Sequence, residues 1–142
     1  MNTITITGGK HSERCLVRET AIFCLKKLLP KSRNLELMVR LKTMKDWGEC
    51  RKEDFMNQKG KVFTIHLKRN LGIYDMMSTL CHEMVHVKQF ALGERKFVKG
   101  NDMWKKRAYN NTSYEDSPWE KEAYRLEERL AVECFKTIKT QL

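Results

Sequence analysis

No run of apolar residues in this 142-residue sequence approaches the roughly 20 that a membrane span requires, so no transmembrane helix is predicted. No basic N-terminal segment is followed by a long apolar stretch, so no secretory signal is read either. Proline is scarce: only Pro30 and Pro118 punctuate the chain. The five cysteines, Cys15, Cys24, Cys50, Cys81 and Cys134, are odd in number and never form a CxxC pair. That spacing argues against a disulfide framework and against a four-cysteine zinc knuckle, and it points to a reducing compartment, the cytoplasm. Internal repeats, low-complexity tracts and linker-like stretches are also missing. Histidine is limited to His11, His66, His82 and His86, which makes the placement of each informative.

Hydrophobic residues make up 41% and charged residues 32%, a mixture that folds rather than staying disordered. A chain of this length buries a full core without covalent staples, and residues 1–142 are expected to form one domain. The formal net charge is +10, which favours acidic partners or nucleic acid. The cations are dispersed, however, with only short clusters such as Lys105-Lys106-Arg107, and no helix-turn-helix, RNP or zinc-finger pattern accompanies them. Nucleic acid stays an open partner on charge alone, and the oligomeric state is not specified.

Thr3 to Thr7 alternates Thr with Ile before Gly8-Gly9 and reads as a short strand or extended arm. Ser12 is a candidate cap for a helix over 12–29, stopped by Pro30. Leu35, Leu37, Val39 and Leu41 alternate with other residues and predict a half-buried strand. A second strand is expected over 48–55, a turn at Gln58-Lys59-Gly60, and a third strand over 61–68. From Ile73 to Ala91, apolar residues at Ile73, Met77, Leu80, Met84, Val87 and Ala91 define one helix face, with Gly93 as its C-cap. The polar, Asn-rich stretch 94–116 predicts mostly loop. Ser117-Pro118 opens a last helix, whose stripe is Ala123, Leu126, Leu130, Cys134 and Ile138.

The helix over 73–91 carries His82-Glu83-Met84-Val85-His86. At about 100° per residue the two histidines lie about 40° apart, one turn from each other, opposite the apolar stripe. Two imidazoles so placed can reach one Zn²⁺ at about 2.0–2.1 Å. Glu83 lies about 60–80° round the helix, near enough to serve a water on the ion as general base without ligating it. Thr79 and Gln89 share the histidine side. A catalytic zinc needs a third protein ligand and an open position. No third histidine follows, so Glu120 is the leading candidate and Glu122 the reserve. Glu120 has a competing reading, because Ser117-x-x-Glu120 after a loop is also a capping box.

His82-Glu83-x-x-His86 with Glu120-x-x-Ala123 downstream resembles the gluzincin metallopeptidases, and the order of elements looks like the minimal zincin core of SprT-like and ImmA-like peptidases. The runs around Cys81–Gln89 and Pro118–Ala123 look most like small metallopeptidases of phages and bacteria. The resemblance covers about residues 61–130. It implies an α+β, minimal zincin-like fold: an N-terminal helix, a three-to-four-stranded sheet that is mostly antiparallel or mixed, the HExxH helix and a C-terminal helix. It also implies one zinc ion per chain and hydrolysis of a protein or peptide substrate, in the host cytoplasm for a phage-encoded chain. The substrate is expected along an edge strand, taken to be the one over 61–68. Tyr109, Tyr114 and Tyr124 are candidates to stabilise the oxyanion. Two departures stand out: SprT proteins supply a third histidine that is lacking here, and Tyr124 stands where membrane-embedded gluzincins carry Asp. The carboxylate that would orient a histidine is left among Asp75, Asp102, Asp116 and Glu127.

Other readings compete. Cys50, on a strand ahead of the HExxH, resembles the cysteine that completes the zinc site of peptide deformylase, which would make the chain a zinc amide hydrolase. A basic, non-catalytic zinc-binding module that contacts nucleic acid or an acidic partner is the other, although such a module has no use for Glu83. Cys81 is expected to face the core, His66 the surface or a cleft wall, and Trp47, Trp104 and Trp119 to anchor core or loops.

Overall fold

A computed structural model describes residues 1–53, 61–110 and 112–139. Its elements run β1 (Thr3–Thr7), α1 (His11–Leu28), β2 (Leu35–Lys42), β3 (Gly48–Glu53), β4 (Lys61–Lys68), α2 (Ile73–Ala91), β5 (Arg95–Val98), β6 (Asn101–Trp104), β7 (Arg107–Ala108) and α3 (Pro118–Lys139). The class is α+β, with three helices, a mixed four-stranded sheet and an antiparallel three-stranded one. No described helix is long and apolar enough to cross a membrane.

The larger sheet has the order β1-β2-β4-β3. β1 pairs parallel to β2 and β2 parallel to β4, while β3 runs antiparallel to β4. Register sets Leu37 beside Phe63, Val39 beside Ile65 and Leu41 beside Leu67, so the apolar residues of both central strands share one face. That face is buried with α1, α2 and part of α3 in one core that includes Val17, Ala21, Leu80, Met84, Val87 and Ala131. On β2 the intervening Glu36, Arg40 and Lys42 are exposed, the alternation of a strand covered on one side only.

β4 is therefore an interior strand, and the edge-strand role expected of it falls to β3. Strand order depends on β2 pairing in parallel with β4 rather than with β3, its neighbour in sequence, which no local pattern encodes. The strand expected over 48–55 is described to Glu53, and the turn expected at Gln58-Lys59-Gly60 lies outside the described residues. α1 begins one residue before Ser12. Its entry is closed by the Lys10 backbone N–H donating to Glu13 Oε1 at 2.8 Å, so Ser12 is no cap. Gly93 does end α2, at φ 72°, a left-handed conformation that glycine adopts without strain.

α2 is buried almost all round, since the sheet, α1 and α3 surround it. Its first turn is the exception, with Ile73 at 64% and Tyr74 at 46% exposed. The stretch 94–116 is not mostly loop: Arg95 to Ala108 forms a small meander. On α3 the stripe from Ala123 to Ile138 packs inward as its spacing predicts: Ala123 and Leu130 join the main core, while Cys134 and Ile138 join Met77 in a smaller cluster.

Candidate metal centre

His82 and His86 project from the middle of α2 toward the first turn of α3. Glu120 Oε1 lies 2.9 Å from His82 Nε2 and 3.2 Å from His86 Nε2. One ligand atom from each of the three lies within 4.8 Å of the other two, and all three residues are buried. The capping-box reading of Glu120 gives way here. Ser117 Oγ donates back to the Tyr114 carbonyl at 2.8 Å, and the Glu120 carboxylate is turned to the imidazoles. The reserve candidate, Glu122, is engaged elsewhere, by Lys88 Nζ at 3.0 Å and Gln89 Nε2 at 3.2 Å.

Gln89 explains how His86 is oriented. It lies one turn beyond His86 on the same face and is 0% exposed. Its amide nitrogen donates to the Trp119 carbonyl at 2.9 Å and to Glu122, which leaves Oε1 to accept from His86 Nδ1 at 2.8 Å. That network assigns the His86 ring proton to Nδ1 and presents the Nε2 lone pair to the Glu120 oxygen. The contact of 3.2 Å between that nitrogen and the carboxylate, with His82 Nε2 beside them, can be bridged by a proton on the ring or by a cation held among the three. Tetrahedral zinc with ligand bonds near 2.1 Å sets its donors about 3.4 Å apart, a little more than the 2.9 Å and 3.2 Å that separate Glu120 Oε1 from the two imidazole nitrogens. The donor set, two imidazoles and one carboxylate, suits a catalytic zinc that keeps one open position.

Of the four carboxylates considered for orienting a ligand, Glu127 alone is near. Its Oε2 stands 3.6 Å from His82 Nδ1, an ion-pair separation rather than a hydrogen bond, and 3.5 Å from Ser78 Oγ. His82 Nδ1 is buried without a hydrogen bond among the described residues, so a small closure toward Glu127 would satisfy it. Asp75 stays in the first turn of α2, Asp102 faces Arg95, and Asp116 accepts from Ser113.

The electrostatics follow from this crowding. Burial opposes charge on His82, but the carboxylates of Glu120, Glu127 and Glu83 outweigh it and raise its pKa to about 9. Burial also works against the Glu120 anion, yet the two histidines hold it down to about 2. Glu83 behaves oppositely. Desolvation pushes it up to about 7 against the pull of His86 and His82, with Glu120 and Glu49 adding to the rise. It makes no hydrogen bond among the described residues and rests against the start of β3, where a Cβ built on Gly48 would meet Glu83 Oε2 at 3.1 Å.

Glu83 and His82 open onto a cleft of about 490 Å³ lined also by Asp46, Trp47, Gly48, Thr79, Tyr114, Tyr124 and Glu127. Tyr124 packs edge-on to His82 with ring centroids 4.6 Å apart, and its hydroxyl is 3.2 Å from that of Tyr114. Tyr109 instead packs on Trp119 and does not line this cleft. Trp104 and Trp119 are buried anchors, whereas Trp47 is half exposed at the cleft rim. His66 sits 3.3 Å from Glu49 on β4, away from the cluster, as its strand position predicts. Cys81 faces the core, with its Sγ 3.7 Å from Cys24 Sγ. Cys50 is not part of the ligand cluster, and burial beside Glu83 raises its pKa well above the ordinary thiol range, so it stays protonated.

Sequence reasoning placed Gln89 on the histidine side without giving it a role; its i+3 spacing from His86 was the available signal. Gly48 and Arg95 left no local signal, since they reach the site only through strand pairing. No protein-family model, curated protein or solved structure matches the chain.

Proposed function

We propose that this chain is a zinc-dependent peptidase in which His82, His86 and Glu120 hold the ion and Glu83 is the general base. The observation that carries the reading is the division of labour among four buried groups: three converge on one point, and the fourth stands aside at the head of the adjoining cleft. Zinc held there would supply Lewis acidity, lowering the pKa of a water and polarising a carbonyl.

The chain's own residues account for the rest. Glu83, held beside the cluster without a hydrogen bond among the described residues, would take a proton from the attacking water and return it to a leaving amine. No described strand pairs with the outer edge of β3, so its N–H and C=O groups can hold an extended peptide by strand addition. The strand starts at Gly48 against Glu83, which brings a bound backbone to the base. The hydroxyls of Tyr114 and Tyr124 enter the same cleft and are the donors placed to meet negative charge on a carbonyl oxygen. A purely structural zinc site has no need of a buried base beside it, which disfavours the non-catalytic reading.

The test is zinc content after dialysis together with cleavage of an unfolded protein. Wild type is expected to retain one zinc per chain. Glu83→Gln should keep the zinc and lose activity by about 10²-fold or more. Glu120→Gln should weaken zinc binding by about tenfold or more. A wild-type chain that holds no zinc, or a Glu83→Gln variant that cleaves normally, would end the proposal.

A further inference from the structure

Beyond the metal cluster, β3 borders a second cleft, of about 530 Å³, lined by Cys50, Arg51, Lys52, Glu53, Phe90, Arg95, Lys96, Phe97 and Val98. Its described lining carries four cations against one carboxylate. Arg51 is partly neutralised by Glu49 at 2.7 Å, outside the lining, but Lys52 and Lys96 have no described partner. Arg95 is the unusual member. Its guanidinium stacks between two aromatic faces, 4.3 Å from the Trp119 ring centroid and 5.1 Å from that of Phe90. Both platforms belong to the metal site's own elements: Trp119 immediately precedes Glu120, and Phe90 is one turn beyond His86.

A guanidinium offers five donors. Here its nearest carboxylate, Asp102, is 3.7 Å away, an ion pair beyond hydrogen-bond length, Glu120 acts on it from further off, and Nε is buried without a hydrogen bond among the described residues. A packed, rigid, under-satisfied arginine is a costly arrangement for a staple alone, because the apolar stacking could be kept by an uncharged side chain. It is an economical one for a planar anion, which such a fork binds with two parallel bonds. The side chain is 23% exposed, and that exposure faces the cleft.

Geometry ties the cleft to the reaction. Gly48 touches Glu83, and the cleft begins at Cys50, two residues along the same strand and about 7 Å away at the usual rise. A peptide laid on the free edge of β3 thus reaches the basic cleft one or two residues from the bond beside Glu83. We propose that this cleft is a subsite that takes an acidic side chain of an extended peptide substrate, with Arg95 as the residue that selects it. The proposal rests on the peptidase reading for the path of the chain, but it makes a claim about binding that is separate from turnover.

The test uses zinc-loaded Glu83→Gln, which cannot turn over, and a set of neutral extended peptides in which one Glu replaces Gln at successive positions. Binding is read by calorimetry at constant ionic strength. A Glu at one position should bind at least tenfold tighter than its Gln counterpart. A Glu moved by one residue should lose the gain, since it then points to the other side of the strand. Arg95→Gln should abolish the preference, and Arg40→Gln, on the outer face of β2, should leave it intact. Should Arg95→Gln lose its fold with the stacking, the exposed pair Lys52→Glu and Lys96→Glu serves instead and should reverse the preference. Equal binding of Glu and Gln peptides at every position, no measurable binding, or a preference that survives Arg95→Gln would overturn the subsite. Position-specific acidic binding without cleavage by wild type would leave the subsite standing and sink the peptidase reading. Cleavage indifferent to Glu and to Arg95 would do the reverse.

Discussion

Replacing Gly48 by alanine isolates the placement of the base from the binding of the metal. An added Cβ would lie 2.9 Å from Thr79 Cγ2, 3.1 Å from Glu83 Oε2 and 3.2 Å from Glu83 Cγ. Carbon atoms rest comfortably at about 3.5–4.0 Å, so the overlap with Thr79 is about 0.6 Å or more. Thr79 cannot yield easily, because it is β-branched, buried and fixed on a packed helix. The Glu83 side chain is longer and makes no hydrogen bond among the described residues, so it swings away from the new Cβ, while the Thr79 overlap is relieved only by the start of β3 shifting off α2. Overpacking of this kind costs about 1–3 kcal/mol, and the low end is not expected where a rigid neighbour must be cleared.

Each kcal/mol of that loss lowers the Tm of a chain this size by about 2–4 °C. The effect on rate should be larger, because a misplacement of about 1 Å in a reacting group costs about 10²-fold. Gly48→Ala is therefore expected to reduce kcat by about 10- to 100-fold, with zinc stoichiometry unchanged. Gly72→Ala is the matched control: its φ is −61° and the nearest atom to the new Cβ is 4.0 Å away, so turnover should be unaffected. The assays are peptide hydrolysis, metal analysis and thermal melting on the same preparations. Wild-type turnover by Gly48→Ala would mean that Glu83 is not the base, or that it is not held against β3.

Two further outcomes follow from the surroundings of the cluster. Glu127→Gln should weaken zinc binding by about tenfold in chelator competition, because it removes the carboxylate facing His82 Nδ1; unchanged affinity would show that His82 needs no such support. The pH dependence should differ with and without metal. In the metal-free chain His82 has its pKa raised from 6.5 to about 9, so its ion pair with Glu120 contributes fully below pH 6.5 and is lost as pH rises toward 9. Zinc must displace that proton, so zinc affinity should rise by up to about tenfold per pH unit over the same window, and the zinc-induced rise in Tm should grow with it. A Tm increment that is flat between pH 6.5 and 9 would refute the competition between zinc and a proton held on His82 by Glu120.

What was legible in the sequence was what repeats locally. α2 occupies Ile73–Ala91 as its apolar spacing predicts, and the register of His82, Glu83 and His86 on it follows from helix geometry alone. β2 and β4 were legible for the same reason, as alternation. Their neighbours were not: which strand stands at the edge depends on β2 pairing with β4 past β3, a contact between strands that are not consecutive. In the meander after Gly93 the first turn does carry a glycine, Gly100 at φ 81°, but the second has neither Gly nor Asn. Lys105 and Lys106 take φ of 47° and 73° between β6 and β7, and Lys99 takes 51° beside Gly100. Tight hairpins ordinarily place Gly or Asn at such angles, so a lysine pair gives no warning of a turn.

Glu120 shows how tertiary contacts separate two local readings of one residue. Ser117-Pro118-x-Glu120 satisfies the rules for a capped helix start whether or not a metal is present. The distinction is made by Gln89. Its buried amide holds the Trp119 carbonyl at 2.9 Å and the Glu122 carboxylate at 3.2 Å, one residue before and two residues after Glu120. Those two bonds fix the first turn of α3 against α2, and at that rotation Glu120 faces the histidines while Glu122 turns to Lys88. The same amide accepts the proton of His86 Nδ1, so one side chain sets both the tautomer of a proposed ligand and the helix that delivers another. Two proposed ligands that are 34 residues apart in sequence thus share a single buried anchor, and the third, His82, is carried by the same helix as that anchor.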